Sequence, residues 1–336
     1  MSSTASRNQT NTNNQLYSNA LGSATAGIIS RLLTHPLDTA KARIQVPNSQ
    51  YNGVKDVLRK TYRSEGLLPL YRGFGAIVVG GTPGTMTYLC TYEWIKTRLT
   101  QSHTNTTTIP EFAIHFGAGM IAEAIACIIY VPVDVIKERL QVQIIQNEIR
   151  SNQYNGSFDA LKKIIHTEGL AGIYKGYGAT LASFGPFSAF YFLFYEQLKD
   201  HSQRYSIYFD WSNGSVKYNE QYRNKKDYDN DQTDNNLPFP MVVLSSAIAG
   251  AAASWITSPL DMAKLRLQIQ RSVSNTSRTS SSKYSGMINC LSHVYQQNGI
   301  PGLFRGAGAR VLHFTPATMI TMSCFETCRS FFSSYV

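Results

Sequence analysis

The sequence predicts an all-α membrane protein of six transmembrane helices in three pseudo-symmetric repeats, each repeat carrying one short surface helix. Three observations predict this. First, a proline-led decamer occurs three times, as Pro36 to Gln45, Pro132 to Gln141 and Pro259 to Gln268, each reading Pro-x-Asp-x-x-Lys-x-Arg-x-Gln. Self-similarity of this kind decides the architecture before local propensity does. Second, the copies align without a gap downstream. Each continues with Tyr-x-Gly (Tyr51 to Gly53, Tyr154 to Gly156, Tyr284 to Gly286) and a further glycine (Gly66, Gly169, Gly299). Then come an aromatic-basic-Gly unit (Tyr71 to Gly73, Tyr174 to Gly176, Phe304 to Gly306) and an aromatic-Glu-x-x-basic unit (Tyr92 to Lys96, Tyr195 to Lys199, Phe325 to Arg329). Third, the charges recur in register. Ionisable groups inside a span are costly and normally face a water-filled interior.

Composition removes several alternatives. Charged residues are 15% of the chain and apolar residues 43%, against roughly 25% charged in soluble proteins. Mean hydropathy is slightly negative, and no segment is a clean apolar run of about 20 residues, the usual spanning signal. The repeat explains this, because its buried charges dilute every span. A net charge of +10 raises nucleic-acid binding as an alternative, but Lys and Arg are scattered rather than clustered. A membrane rich in anionic lipid is the more economical partner, and no nucleic acid is expected. The five cysteines (Cys90, Cys127, Cys290, Cys324, Cys328) form no CxxC, so free thiols and no zinc site are expected. There is no HExxH, Gly-x-Ser-x-Gly or Walker loop, so an enzyme is not expected.

In chain order, residues 1–16 are Ser, Thr, Asn and Gln with one Arg7, the composition of a disordered tail. They lack an apolar h-region and a basic amphipathic pattern, so neither a secretory signal nor a cleaved transit peptide is expected. Repeat 1 covers 17–100, with a helix over 17–45 bent at Pro36, a surface helix over 54–64 and a second long helix over 73–99. Repeat 2 covers 111–200, with helices over 111–142, 157–167 and 177–200. A polar insertion over 201–236, rich in Asn, Asp, Tyr and Lys, reads as a disordered loop, with a partner-binding segment as the alternative. Repeat 3 covers 237–333, with helices over 238–270, 287–297 and 307–332.

With these motifs in three copies, the chain resembles the mitochondrial carrier family (solute carrier family 25) over nearly its whole length. The resemblance implies a six-helix barrel in the inner mitochondrial membrane, multi-pass and monomeric, with the N-terminus on the intermembrane-space side and the surface helices on the matrix side. It implies a solute transporter working by alternating access.

The Asp and Lys of each decamer lie three apart and share a helix face. Asp38 can pair with Lys137, Asp134 with Lys264 and Asp261 with Lys41. By resemblance this ring is the matrix gate, and Gln45, Gln141 and Gln268 match the family's braces. A second ring (Glu93 with Lys199, Glu196 with Arg329, Glu326 with Lys96) matches the cytoplasmic gate, which Tyr92 and Tyr195 can brace through their hydroxyls and Phe325 cannot. Taken singly, each pair would be an ordinary surface ion pair.

Gly53, Gly73, Gly156, Gly176, Gly286 and Gly306 each precede a helix. Helix N-termini bind phosphate, and in the family these positions hold cardiolipin, although turn chemistry alone would also account for them. Beyond structural cardiolipin no cofactor is expected. The Gly-x-Gly pairs at Gly73, Gly176 and Gly306 lack the third glycine of a dinucleotide loop and read instead as close helix packing.

Family contact positions fall on Gly80 and Gly81, Ser183 and Phe184, and His313 and Phe314. Arg310 lies one turn before His313, and the cavity stripe of the odd helices adds Arg31 and Glu123. Two cations and one anion suit a zwitterionic or carboxylate-bearing molecule, amino-acid-like or cofactor-like. Arg31 and Glu123 could instead pair with each other. A lone His313 points to hydrogen bonding rather than metal, so no metal site is assigned. A metal-ion carrier or a proton-leak protein of the same fold is the alternative.

Overall fold

A computed structural model describes residues 25–47, 49–102, 111–143, 153–204, 207–210, 215–218, 239–271 and 284–333. Within these, residues 100–102, 111–113, 203–204, 207–210, 215–218, 239–240, 322 and 325–333 are described by backbone alone. The predicted tail (1–16) and most of the predicted insertion (201–236) lie outside the described residues.

Ten α-helices are described: α1 (25–45), α2 (Val54–Glu65), α3 (Phe74–Ser102), α4 (Glu111–Val142), α5 (Ser157–Ile173), α6 (Tyr177–Arg204), α7 (Phe239–Ile256), α8 (Ser258–Ile269), α9 (Met287–Leu303) and α10 (Ala307–Ser333). Each repeat is thus a long helix ending in the decamer, a shorter helix and a second long helix. A short antiparallel hairpin pairs β1 (Ile207–Asp210) with β2 (Ser215–Tyr218), Ile207 opposite Tyr218. The fold is otherwise helical, and the insertion is not wholly loop. Its Ile-Tyr-Phe and Val-Lys-Tyr runs have the β-branched and aromatic character of strands.

Pro132 is accommodated within the continuous helix α4 and Pro36 within α1. The third repeat differs: its long helix breaks at Thr257 (φ −87°, ψ 6°), and Pro259 sits in the first turn of α8, where its missing N–H leaves no bond unmade. Among the described residues α4, over Ile114–Val142, is long and apolar enough to cross a membrane. The broken pair Met241–Ile256 and Ser258–Ile269 qualifies if it is one span.

The surface helices run further than the sequence predicts. Helices α5 and α9 continue to Ile173 and Leu303, each kinked at a glycine of positive φ, Gly169 (68°) and Gly299 (63°). In repeat 1 the same position, Gly66 (φ 85°), ends α2, and the one-turn 3₁₀ helix Leu68–Tyr71 follows. Among the described residues the six positive-φ glycines are repeat glycines, at Gly66, Gly169 and Gly299 and at Gly73, Gly176 and Gly306. Only glycine adopts this conformation without strain, which is why the motif repeats it.

The chain forms two compact units, one of Thr34–Ala189 with Trp255–His313, the other of residues up to Leu33 with Phe190–Ser254 and from Phe314 onward. In the first unit each surface helix docks through an i, i+4 pair: Val57 and Thr61, Ala160 and Ile164, Cys290 and Val294, all without solvent exposure. Their floor is the apolar side of the decamers, such as Ile136 and Leu140 beneath α5 and Met262 and Ala263 beneath α9. Ala42, Val46, Val142, Leu265 and Ile269 form one cluster in which the ends of all three decamer helices meet. In the second unit Ser30 Oγ donates to the Ala317 carbonyl at 2.9 Å, and the Tyr191 hydroxyl bonds Ser246 Oγ at 2.7 Å.

Candidate functional site

The first unit holds the Asp–Lys ring. Lys137 Nζ lies 2.9 Å from Asp38, Lys264 Nζ 2.7 Å from Asp134, and Lys41 Nζ 2.7 Å from Asp261. Each lysine reaches the preceding repeat's aspartate in a closed cycle of three. The spacing causes this: three residues along a helix bring Asp and Lys onto one face, and the cluster of decamer ends brings those faces together. Gln141 Nε2 donates to Asp38 at 3.4 Å and Gln45 Nε2 to Asp261 at 3.5 Å. Gln268 does not follow: its Nε2 is buried without a hydrogen-bond partner. Lys137 also meets Glu138 at 3.0 Å, a carboxylate the repeat pattern does not mark, because Ala42 and Leu265 hold the equivalent positions.

Two predicted substrate residues sit against this ring. Arg310 Nε is 3.7 Å from Asp261, and Arg310 also donates to Thr257 Oγ1 at 3.0 Å and lies over the Phe187 ring. His313 Nε2 is 3.8 Å from Asp38, and its Nδ1 is 3.3 Å from the Thr34 carbonyl. Glu123, 9% exposed, accepts from Cys127 Sγ at 3.5 Å. Phe184 packs edge-on against Tyr88.

The other predicted positions have these surroundings. A Cβ at Gly80 would sit 2.1 Å from Val133 Cγ2, so this glycine lets α3 approach α4. Gly81 is buried, and its carbonyl accepts from Thr85 at 2.9 Å. The Ser183 hydroxyl is spent on the Ala179 carbonyl at 2.7 Å. The Tyr92 hydroxyl bonds His115 Nδ1 at 2.7 Å, across to α4, and Tyr195 stacks on Tyr191. Arg31 is half-buried in the second unit. Of the second ring, Glu93 is exposed and Lys96 half-buried over the Tyr92 ring in the first unit. Glu196 is exposed and Lys199 half-buried in the second. The side chains of Phe325, Glu326 and Arg329 lie outside the described residues.

The glycines before the helices separate into two kinds. At Gly73, Gly176 and Gly306 positive φ combines with close approach: a Cβ would come within 3.0 Å of Lys137, 2.8 Å of Gln268 and 2.7 Å of Gln45. At Gly53, Gly156 and Gly286 a Cβ would meet nothing within 4 Å, and the last two are fully extended (φ 171° and −178°). Neither packing nor conformation demands glycine at these two.

The decamer arginine makes a further cycle that the sequence marks as repeated without giving it a role. Arg43 Nε donates to the Gln141 carbonyl at 3.1 Å, Arg139 Nε to the Gln268 carbonyl at 3.1 Å, and Arg266 Nε to the Gln45 carbonyl at 3.2 Å. Arg43 also clasps Glu65 at 2.9 and 3.3 Å, and Arg139 clasps Glu168 with both Nη groups. Burial raises the Glu168 carboxyl, but hydrogen bonds and charge from Arg139, then Lys175 at 2.9 Å, outweigh it and bring it down to about 2. Among the described residues no three His, Cys, Asp or Glu side chains form a group that could hold a metal ion.

Three copies of one proline-marked helical unit, closed by a cyclic acid–base ring, define a three-repeat membrane carrier. The family model "Mitochondrial carrier protein" matches residues 12–103, 110–206 and 235–336, and the chain belongs to that family: it is a transporter of the inner mitochondrial membrane and not an enzyme. It is 33% identical to "Mitochondrial substrate carrier family protein E" of Dictyostelium discoideum over 94% of this chain and 96% of that one. It is 29% identical to "Mitoferrin-1" of Danio rerio (93% and 84%). It is 30% identical to "Nicotinamide adenine dinucleotide transporter 2, mitochondrial" of Arabidopsis thaliana (95% and 80%).

Proposed function

We propose that the protein moves a carboxylate-bearing organic metabolite, amino-acid-like or cofactor-like, by alternating access through a six-span barrel. It works as a monomer with its N-terminus on the intermembrane-space side. The Asp–Lys ring is the matrix gate, the Glu-x-x-basic units supply the opposite gate, and Gly53, Gly156 and Gly286 receive cardiolipin phosphate. The relative named for nicotinamide adenine dinucleotide supports an organic substrate.

The observation that carries the reading is the placement of Arg310 and His313 within 4 Å of two gate acids, Asp261 and Asp38. A substrate carboxylate held by Arg310, and by His313 when protonated, withdraws those cations from the acids. Binding therefore loosens the network that holds this side shut. A substrate shifts such an equilibrium only through its differential affinity for the two states, and shared cations are one physical source of that difference.

The test is uptake by purified protein in liposomes, screened against labelled organic metabolites, with divalent metal ions as a second panel. Uptake of an organic anion is expected, together with its loss in Arg310→Ala at nearly unchanged thermal stability. Metal uptake alone, or current without added substrate, would overturn the reading.

A further inference from the structure

The third repeat keeps the cations of the surface-helix clasp and lacks its acid. In repeat 1 Glu65 faces Arg43 and Arg72, at 2.9 and 3.7 Å. In repeat 2 Glu168 faces Arg139 and Lys175. The equivalent residue in repeat 3 is Asn298, while Arg266 and Arg305 stand at the two cationic positions. The backbone frame is preserved: a Cβ on Gly172 would meet Glu168 Cβ at 2.5 Å, and one on Gly302 would meet Asn298 Cβ at 2.4 Å.

The cations are left without a carboxylate. Arg266 is 6% exposed, and among the described residues its hydrogen bond is the one from Nε to the Gln45 carbonyl. Arg305 donates to the Ser49 carbonyl. A nearly buried guanidinium without a counter-ion is costly, and its two counterparts avoid that cost.

The absence of acid extends beyond this one position. No Asp or Glu occurs between Asp261 and Glu326, a stretch that holds Lys264, Arg266, Arg271, Arg278, Lys283, Arg305 and Arg310. Residues 272–283, outside the described set, supply no acid either. The surface-helix cap has lost its charge in the same way. Asp56 and Asp159 accept from Asn52 and Asn155 N–H at 3.1 and 2.9 Å, and Asn289 accepts from Ser285 N–H at 3.3 Å. Both acids of the unit are therefore replaced by amides with the geometry kept.

We propose that this clasp is a binding site for a small oxyanion of the phosphate class, which takes the place that Glu65 and Glu168 occupy in the other repeats. Guanidinium forks bind phosphate and carboxylate oxygens through the same paired N–H groups, and Glu168 on Arg139 and Lys175 is the internal template. The bound anion ties α9 to the end of α8 as Glu168 ties α5 to the end of α4. A free phosphate and a lipid headgroup share this chemistry.

The experiment is thermal unfolding of the delipidated full chain in detergent, titrated in separate arms with inorganic phosphate at constant ionic strength and with cardiolipin. Wild-type protein is compared with Asn298→Glu, which supplies the carboxylate internally, and with Asn298→Gln, which does not. Asn298→Asp serves if the Glu variant fails to fold. A saturable rise of about 2 to 4 °C from this site is expected in wild type and in Asn298→Gln, and the loss of that increment in Asn298→Glu. Loss of the phosphate response assigns the site to a free anion, and a smaller cardiolipin response, with the share of the glycine positions kept, assigns it to a headgroup. If neither response differs between wild type and Asn298→Glu, the proposal is overturned.

Discussion

Glu168 is 3% exposed and faces a cation on each side, Arg139 at 1% exposure and Lys175 at 22%. Removing one partner of so buried a pair strands the other, which costs about 3 to 5 kcal/mol. Glu168→Gln is therefore expected to lower the unfolding temperature in detergent far more than Lys163→Gln, whose exposed pair with Asp159 contributes about 0 to 1 kcal/mol. The pH dependence has a definite sign. The folded carboxyl sits at about 2 against an ordinary value of 4.5. Its contribution is thus fully present above pH 4.5 and is lost as pH falls through that window towards 2. Glu168→Gln should flatten the stability profile between those limits, and a profile that stays as steep would remove Glu168 as its source. At this scale the sequence was legible where a residue type repeats. Asp and Lys at fixed offsets announced their partners. Glu138 did not, because one copy out of three carries it, and neither did the Tyr92 hydroxyl bond to His115, because the following repeat has Val242 at the position of His115.

Elements were legible where a glycine or proline punctuates them and less so where tertiary packing decides. Among the described residues the six positive-φ glycines lie at repeat positions, yet the motif did not show that Gly169 and Gly299 would kink a helix rather than end it. Nor did three identical prolines show that only the third would accompany a broken helix. The glycines preceding helices give a paired prediction. Gly306 has φ 87° and faces Gln45 Cγ at a would-be 2.7 Å, so Gly306→Ala should destabilise by about 1 to 3 kcal/mol or more. Gly286 is extended with open space around it, so Gly286→Ala should leave unfolding without lipid nearly unchanged. If Gly286 admits a phosphate to the α9 N-terminus, the same change should weaken the stabilisation by cardiolipin. Equal loss of intrinsic stability in both variants would mean that Gly286 is structural after all.

In the Asp–Lys ring three pairs at equivalent positions are not equivalent in strength. The Asp38–Lys137 pair has side-chain exposures of 11% and 12%, a bond from Gln141, and a second carboxylate, Glu138, on its lysine. The Asp261–Lys41 pair has Gln45 and the Arg310 guanidinium beside its acid. The Asp134–Lys264 pair is the most exposed of the three, at 27% and 21%, and Gln268, the repeat equivalent of Gln45 and Gln141, leaves its Nε2 unpartnered. Water screens this pair most, and a screened pair is worth less. A ring held by unequal bonds parts first at the weakest. Asp134→Asn should therefore cost little in unfolding temperature, while Asp38→Asn, which strands Lys137 with Glu138 alone, should cost several times more. In a cysteine-accessibility assay from the ring side, Asp134→Asn should raise labelling of a cysteine placed just beyond the ring more than Asp261→Asn does. Equal costs in all three aspartate variants, with equal gains in labelling, would mean that the ring opens as a symmetric unit and that the unpartnered Gln268 amide has no mechanical consequence.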